Sequence, residues 1–261
     1  MADRRPIGVF DSGLGGISVL REIVRLLPEE DYIYYGDSLH APYGVKTAEK
    51  VRQLSRTVVE RLLAQGAKAI VIACNTATSV AAAALREAFP TLPLIGTEPA
   101  IKPAVERHPG GRILMMATAM TVKEEKFQRL RRQYEQEAEI IPIPCSGLME
   151  FVEQGILRGE PVSSYLFEKL SPYLKVPVDA VVLGCTHYAF LRGEIRKIVG
   201  RTPEILDGSY GIAMQLRRRL EAVDGLNDAG VPGQVHFENS LDEPEILELS
   251  RALLHYEDEE L

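Results

Sequence analysis

The sequence predicts an α/β protein with two similar domains, each built on a doubly wound, mainly parallel sheet, that face each other across a cleft. First, short apolar runs alternate with amphipathic helical patterns, which is typical of parallel sheets with helical crossovers. Second, this alternation occurs in two successive series. Third, one apolar run in each series ends in a cysteine, at Cys74 and at Cys185. A chain of 261 residues is long enough for two such domains.

The first series contains four predicted strands separated by helical patterns. The strands are Ile7–Phe10, Tyr32–Tyr35, Ala69–Ala73 and Leu92–Ile95. Apolar residues at helical spacing predict helices over Thr47–Gln65 and Thr76–Phe89. These helices supply the crossovers that consecutive parallel strands require.

The second series repeats this plan. Its predicted strands are Arg112–Ala117, Ile140–Ile143, Ala180–Leu183 and Glu204–Leu206. A helical pattern covers Lys123–Gln136, and a last strand at Val235–Phe237 precedes a terminal helix at Pro244–His255. Each series opens with a strand and a polar loop, Asp11-Ser12-Gly13 in the first and Thr118-Ala119-Met120-Thr121 in the second. The separation from loop to cysteine is similar, since 74 − 11 = 63 and 185 − 118 = 67.

Composition restricts the class of function. The net charge of −7 excludes a general basic surface for nucleic acid. No run approaches the roughly 18 apolar residues of a membrane span, and the N-terminal residues lack a signal-peptide core. We therefore expect a cytoplasmic protein. Three cysteines, without a Cys-x-x-Cys pair, argue against a disulfide framework and a structural zinc site.

Cys74 and Cys185 are each predicted to lie at the carboxyl end of a strand, where open α/β sheets bind ligands. A helix N-terminus beside each thiol would favour the thiolate, and His187 could exchange a proton with Cys185. Cys145 lies between prolines without an adjacent acid or base, so we interpret it as structural. The alternative for any single cysteine is a buried small hydrophobic residue.

Two thiols on opposite sides of a small ligand could invert a stereocentre. One thiolate removes a proton from carbon, and the other thiol donates a proton to the opposite face. An unperturbed thiol pKa of about 8.5 allows both forms near neutral pH. Asn75, Thr76 and Thr186, which adjoin the two cysteines, could hydrogen-bond a small zwitterion.

Two polar loops supply further candidates. The loop Asp11–Gly16 follows the first strand, but its glycines do not fit the Gly-x-Gly-x-x-Gly fingerprint. Its backbone amides could instead approach an anion such as a carboxylate. The loop Gly36–Gly44 contains Pro42-Tyr43-Gly44, which is typical of a turn that offers backbone donors.

These motifs together resemble one known family. Asp11-Ser12-Gly13, Pro42-Tyr43-Gly44, Ala73-Cys74-Asn75-Thr76-Ala77 and Gly184-Cys185-Thr186-His187 are similar to the signature set of glutamate racemases, in the aspartate/glutamate racemase family. The resemblance implies a cofactor-independent isomerase that interconverts L- and D-glutamate. It also implies a supply of D-glutamate for peptidoglycan, and hence a role in cell-wall biogenesis and cell shape.

The resemblance implies roles for individual residues. Cys74 matches the thiol that acts on the D-enantiomer and Cys185 the thiol that acts on the L-enantiomer, while Asp11 and His187 match residues that assist proton transfer. The implied substrate-binding positions are Asp11, Ser12, Tyr43, Gly44, Asn75, Thr76, Thr118, Thr121, Glu153, Thr186 and His187. Taken alone, Glu153 could equally be a surface carboxylate.

The resemblance also implies that the second domain is inserted in the first. We expect a first domain of residues 1–97 plus 208–261 and a second of residues 98–207. The expected partners are glutamate and a second copy in a homodimer, without membrane or general nucleic-acid binding, metal or cofactor. Ala117 and Met120 depart from the family pattern at positions that could alter the pocket wall or the domain interface.

Three alternatives stay open on the sequence. Another racemase of the same superfamily, acting on aspartate or a hydantoin, would share both thiols. A cysteine hydrolase could use Cys74 with His187 and Asp11, but it would leave Cys185 without a role. A non-catalytic amino-acid-binding protein would need neither thiol.

Overall fold

The computed structural model describes residues 3–123 and 125–257, without the side chain of Lys126. Residues 1–2 and 258–261 of the predicted first domain lie outside the described residues, as does Glu124 in the predicted helix Lys123–Gln136. The described chain forms two compact units, one of residues 3–97 and 209–255, the other of residues 98–208 and 256–257. Each unit is a parallel-sheet α/β structure, which confirms the predicted fold class.

The first unit contains a five-stranded sheet among its described residues. Its strands are β1 (Ile7–Asp11), β2 (Tyr32–Gly36), β3 (Ala69–Ile72), β4 (Leu94–Gly96) and β9 (Val235–Asn239). They follow the order β4-β3-β1-β2-β9, and all neighbours are parallel. The chain passes from β1 to β2 on one side of β1 and then crosses to β3 on the other side of β1. The topological switch point, where ligands bind in such sheets, therefore lies between the carboxyl ends of β1 and β3.

The second unit contains a four-stranded parallel sheet among its described residues. Its strands are β5 (Arg112–Ala117), β6 (Glu139–Pro144), β7 (Ala180–Leu183) and β8 (Glu204–Asp207). The order β6-β5-β7-β8 places the switch point between β5 and β7. The two sheets therefore follow one plan, with β5 and β7 in the places of β1 and β3.

Helices connect the strands of both units. Those of the first unit are α1 (Ile17–Leu26), α2 (Ala48–Ala64), α3 (Asn75–Ala88), α10 (Ser209–Glu221) and α11 (Pro244–Leu254). Those of the second unit are α4 (Ile101–Arg107), α5 (Ala119–Lys123), α6 (Glu125–Tyr134), α7 (Leu148–Glu153), α8 (Glu160–Leu170) and α9 (Arg192–Val199). Short 3₁₀ turns cover Ser38–His40, Tyr43–Val45, Ser171–Tyr173 and Thr186–Leu191.

The central strands are apolar along their whole length because helices cover the sheets. Every residue of β1, β3 and β7 is buried. A strand buried on both faces has no alternation of polar residues, which explains the continuous apolar runs in the sequence. The polar residues that follow each run consequently mark the carboxyl edge of the sheet.

Two predicted local structures were wrong. The segment from Thr118 to Thr121 was predicted to be a loop, but α5 begins at Ala119 because the Thr121 amide donates to Thr118 Oγ1 (3.2 Å) and caps the helix. The strand predicted from Leu92 begins at Leu94 instead, since the Leu92 amide donates to the Phe89 carbonyl in a turn.

Candidate active site

Each unit places one thiol at the switch point of its sheet. Cys74 follows β3, opens helix α3 and lies beside the loop that leaves β1. Cys185 follows β7, beside the end of β5. The two cysteines thus occupy equivalent positions in the two sheets, in the region where this fold class binds ligands.

The thiol of Cys74 is joined to a buried carboxylate through a hydroxyl group. Its S–H lies 3.6 Å from Ser12 Oγ, and that hydroxyl donates to Asp11 Oδ1 at 3.1 Å. The Gly13 amide donates to the same carboxylate oxygen at 3.2 Å. The fold therefore brings the predicted residues Asp11, Ser12 and Cys74 together. The amide of Gly13 is engaged by the Asp11 carboxylate.

Cys74 is also the N-cap residue of α3. Its Sγ accepts a hydrogen bond from the Ala77 amide at 3.5 Å. The positive end of a helix dipole favours a negatively charged group, so the start of α3 favours the thiolate form of Cys74. Asn75 and Thr76, two predicted substrate contacts, form the first turn of the same helix.

The loop after β2 contains a carboxylate that the sequence reasoning missed. Asp37, which is buried, accepts a hydrogen bond from the Tyr43 hydroxyl (2.6 Å) and pairs with His40 Nδ1 (2.8 Å). Its amide donates to the Asp11 carbonyl at 3.0 Å. Burial and the Asp37 carboxylate raise the pKa of Tyr43, so its phenol remains protonated. Asp37 directly follows an apolar strand, the same signal that singled out Asp11.

Tyr43 and Gly44 lie in the short 3₁₀ turn Tyr43–Val45, after the cis bond between Ala41 and Pro42. The Tyr43 side chain is buried in the core of the first unit rather than directed to solvent. Asp37 therefore fixes the loop that carries both predicted contact residues.

The thiol of Cys185 lies beside a histidine that contacts a carboxylate. Cys185 Sγ lies 3.6 Å from His187 Nδ1, and His187 Nε2 lies 2.6 Å from Glu153 Oε1. Glu153 is the last residue of α7, and the 3₁₀ turn Thr186–Leu191 turns His187 back to its thiol. The Glu153 side chain, which taken alone could have been a surface carboxylate, is 17% exposed and contacts His187.

The electrostatics of this pair favour a charged imidazole. Burial alone lowers the pKa of His187, but its hydrogen bonds to Cys185 and Glu153 outweigh burial and raise the pKa well above the ordinary value. At neutral pH the imidazolium donates through Nε2 to Glu153 and through Nδ1 to Cys185. A positive charge beside a thiol stabilises its thiolate.

One expectation about Cys185 was wrong. A helix N-terminus was predicted beside this thiol, but α9 does not begin until Arg192, and the Cys185 side chain makes no capping hydrogen bond. Thr186 opens the intervening 3₁₀ turn. The two thiols therefore lie in different environments, a helix N-terminus for Cys74 and an imidazole for Cys185.

Thr118 and Thr121 lie at the end of β5, beside β7. Their hydroxyl groups are 2.9 Å apart. Gly184, which precedes Cys185, allows the two strands to approach closely, because an added Cβ would lie 2.8 Å from the Met116 carbonyl oxygen. Ala117 is buried at the end of β5.

Cys145 differs from the other two cysteines. It is buried, and its S–H donates to the Ile143 carbonyl at 3.4 Å. Burial, with a smaller effect of Cys185, raises the pKa of Cys145 to about 12. A thiol of this kind stays protonated at neutral pH, as expected of a structural residue.

Within residues 3–123 and 125–257, no group of three or more His, Cys, Asp or Glu residues is placed to hold a metal ion. The helices of this described part are all too short or too polar to cross a membrane.

The fold and the two thiol sites point to a class of enzyme, and sequence comparison identifies that class. The family profile described as Asp/Glu/Hydantoin racemase matches residues 7–209, which is more than half of the chain. The chain therefore belongs to the Asp/Glu/hydantoin racemase family, as the resemblance of the motifs implied.

More particularly, several similar proteins are glutamate racemases. The glutamate racemase of Clostridium perfringens is 51% identical over 249 residues, which cover 95% of this chain and 96% of the relative. The crystal structure of Francisella tularensis glutamate racemase with D-glutamate has a TM-score of 0.83 and 28% identity, over 98% of this chain and 95% of that one. Escherichia coli glutamate racemase, in complex with L-glutamate and an activator, has a TM-score of 0.78 and 34% identity, over 83% of each chain.

Proposed function

We propose that this protein is a glutamate racemase that interconverts L- and D-glutamate without a cofactor, with Cys74 and Cys185 as its two acid–base groups. The observation that carries the proposal is the pair of equivalent thiols, one at the switch point of each sheet, each within hydrogen-bonding distance of a side chain that can relay protons. Relatives captured with D-glutamate and with L-glutamate support the choice of substrate.

The proposed reaction needs one base and one acid. With D-glutamate, the Cys74 thiolate removes the α-proton, and the Cys185 thiol donates a proton to the other face of the α-carbon. With L-glutamate, the two thiols exchange roles. This assignment of the enantiomers follows the family resemblance. The reaction leaves one thiol protonated and the other ionised, which is the starting state for the opposite enantiomer.

The groups beside each thiol restore the starting state. His187 can return a proton to Cys185 and become neutral, and Glu153 stabilises the imidazolium that forms when His187 takes up a proton again. Asp11 can accept the proton of Cys74 through the Ser12 hydroxyl. Proton transfer by such positioned groups contributes about 10²–10⁴-fold to a rate.

Substrate binding is proposed to rest on neutral donors together with Asp11. The candidates from the first unit are Ser12, Gly44, Asn75 and Thr76, with Tyr43 supporting the loop. The candidates from the second unit are Thr118, Thr121 and Thr186, beside Glu153 and His187. A neutral hydrogen bond is worth about 1 kcal/mol, so several donors must converge to hold the carboxylates of glutamate and to stabilise the carbanion-like transition state.

The geometry disfavours the hydrolase alternative. A hydrolase formed by Cys74, His187 and Asp11 would need the imidazole between the thiol and the carboxylate. Both ring nitrogens of His187 are instead engaged by Cys185 and Glu153. The binding-protein alternative does not explain why each thiol lies within hydrogen-bonding distance of a side chain that can relay protons.

We also propose the setting in which the enzyme works. D-Glutamate is proposed to serve peptidoglycan synthesis, cell-wall biogenesis and cell shape, in the cytoplasm, with the enzyme as a homodimer. Thiols that must exchange protons need a reducing compartment, and none of the three cysteines, all of which the structure describes, forms a disulfide bond.

The test is racemisation of glutamate and aspartate by purified protein without added cofactor. We expect L-to-D conversion of glutamate, with an α-hydrogen taken from solvent in deuterated water. Cys74→Ser and Cys185→Ser should each lose racemisation by orders of magnitude, because serine is too weak an acid to replace a catalytic thiol. Cys145→Ser should retain racemisation. Normal racemisation by either catalytic variant, or a requirement for pyridoxal phosphate, would contradict the proposal.

A further inference from the structure

We propose that Tyr188, the neighbour of His187 in the chain, positions the imidazole beside Cys185 by holding helix α7 at its first turn. This helix ends at Glu153, whose carboxylate contacts His187. Tyr188 acts through the helix, so it is a positioning residue. The inference rests on the proposed function, in which His187 exchanges protons with Cys185, and it adds a residue that lies outside the four signature motifs.

The hydroxyl of Tyr188 is bonded to the start of α7. It donates a hydrogen bond to the backbone carbonyl of Cys145 at 2.9 Å. The same carbonyl accepts from the amide of Leu148, the first residue of α7, at 3.5 Å. Tyr188 is fully buried, so water does not compete for this bond. Burial also raises the pKa of the phenol well above its ordinary value, so the hydroxyl stays protonated and remains a donor.

Two neighbouring residues of one turn therefore engage the two ends of one helix. Tyr188 holds the start of α7, and His187 contacts Glu153 at its end. A helix of six residues is about 9 Å long, so the two attachments are well separated. Leu148 and Val152 bury one face of α7, but apolar packing is non-directional. The hydrogen bonds at both ends supply the direction that packing does not.

The position of α7 affects the imidazole because His187 is held at both ring nitrogens. Glu153 Oε1 lies 2.6 Å from Nε2, and Cys185 Sγ lies 3.6 Å from Nδ1. Hydrogen bonds weaken steeply with misalignment, and groups that transfer protons must be held to within about 0.5 Å. A small displacement of the helix would therefore reach the thiol through the imidazole ring.

A second tyrosine provides a matched control. The Tyr165 hydroxyl, on α8, donates to the Ser146 carbonyl at 2.7 Å, one residue after Cys145 in the same loop. Replacing either tyrosine by phenylalanine removes one hydroxyl and one hydrogen bond to this loop. Of the two, Tyr188 joins the loop to the turn that contains His187, whereas Tyr165 joins it to a helix without candidate site residues.

The first experiment measures the rate of iodoacetamide alkylation of each cysteine at pH 7. In Tyr188→Phe we expect the rate at Cys185 to fall about two- to tenfold, which is the range expected for the loss of one hydrogen bond. The rate at Cys74 should stay unchanged. In Tyr165→Phe both rates should match those of the unchanged protein. Circular dichroism checks that each variant folds.

The same variants are compared by NMR titration of the His187 ring. In Tyr188→Phe the pKa of His187 should move down towards the ordinary value of about 6.5, because a weaker contact with Glu153 no longer offsets burial. In Tyr165→Phe it should stay raised. A purely structural hydroxyl would lower the Tm without moving this titration.

The second experiment combines Tyr188→Phe with Glu153→Gln. If Tyr188 acts through Glu153, the double variant should lower the alkylation rate at Cys185 by less than the product of the two separate effects. Racemisation by Tyr188→Phe should show a lower kcat with little change in KM, because a fully buried side chain contacts no substrate.

Several outcomes would overturn the proposal. They are an unchanged alkylation rate at Cys185 in Tyr188→Phe, an equal fall in Tyr165→Phe, an unmoved His187 titration, and fully multiplicative effects in the double variant. A Tyr188→Phe protein that does not fold would also overturn it, since the hydroxyl would then be purely structural. Alkylation and titration need no substrate, so they are separate from the proposed function, which racemisation by the unchanged protein tests.

Discussion

Replacing Glu153 by glutamine tests whether the histidine–carboxylate pair activates Cys185. The substitution keeps the shape of the side chain but removes the charge that lies 2.6 Å from His187 Nε2. A hydrogen bond to a charged partner contributes about 1.5–3 kcal/mol and a neutral one about 0.5–1.5 kcal/mol. The difference of about 1–1.5 kcal/mol weakens the stabilisation of the His187 imidazolium, which lies beside Cys185, about tenfold.

The assay is alkylation of each cysteine by iodoacetamide at pH 7, followed by mass spectrometry of the peptides. We expect the rate at Cys185 to fall about tenfold and the rate at Cys74, which is bonded to Ser12 and Ala77, to stay unchanged. Cys145 should remain slow in both proteins and thereby shows that the variant stays folded. Racemisation alone cannot separate the thiols, because an equilibrium constant of unity makes kcat/KM change equally in both directions.

The pH dependence has a definite sign. Because the folded-state pKa of His187 is raised, the imidazolium stabilises the protein fully below the ordinary histidine pKa of about 6.5. That contribution is lost as the pH rises through the raised value. In Glu153→Gln the loss should begin at a lower pH. In the alkylation experiment, two outcomes would refute the reasoning. One is an equal alkylation rate of Cys185 in both proteins, and the other is a fall in the rate at Cys74 as large as the fall at Cys185.

Three further predictions concern the rest of the chain. Lys68→Met leaves the buried Glu30 carboxylate without its cation and should lower the free energy of unfolding by about 3–5 kcal/mol in urea titrations; a change below about 1 kcal/mol would contradict this. Gly184→Ala should lower the Tm and racemisation because its Cβ meets the neighbouring strand, whereas Gly211→Ala, with open space in α10, should not. Cys145→Ala should retain racemisation and lose about 1–2 kcal/mol in the same titrations, which a loss of activity in folded protein would contradict.

Much of the fold could be predicted because buried parallel strands have a simple signature. The bounds of Arg112–Ala117 and Ala180–Leu183 match β5 and β7, since helices cover both faces of these strands and no polar residue interrupts them. Helix α5 was missed because threonine before a short polar segment is typical of both a turn and a helix N-cap. Only the hydrogen bonds of the folded chain separate these possibilities.

The site was predicted where its residues adjoin a strand end. Cys74 and Asp11 each follow an apolar run, so the topology brings them together. The pairing of His187 with Glu153 could not be derived from spacing, because 34 residues and several elements separate the two side chains. Asp37 carried the same strand-end signal as Asp11 and could have been found from it.

Because Cys74 is the N-cap residue of helix α3, the stability of the helix and the activity of the enzyme favour different residues at this position. Helices start best on serine, threonine, aspartate or asparagine, whose oxygen accepts hydrogen bonds better than sulfur does. The Ala77 amide is left with a sulfur acceptor at 3.5 Å. A serine at this position would strengthen the helix by up to about 1 kcal/mol while removing the proposed base. Selection for stability alone would therefore drive this position away from cysteine, and screens for heat-resistant variants should repeatedly recover inactive proteins altered at the first turn of α3.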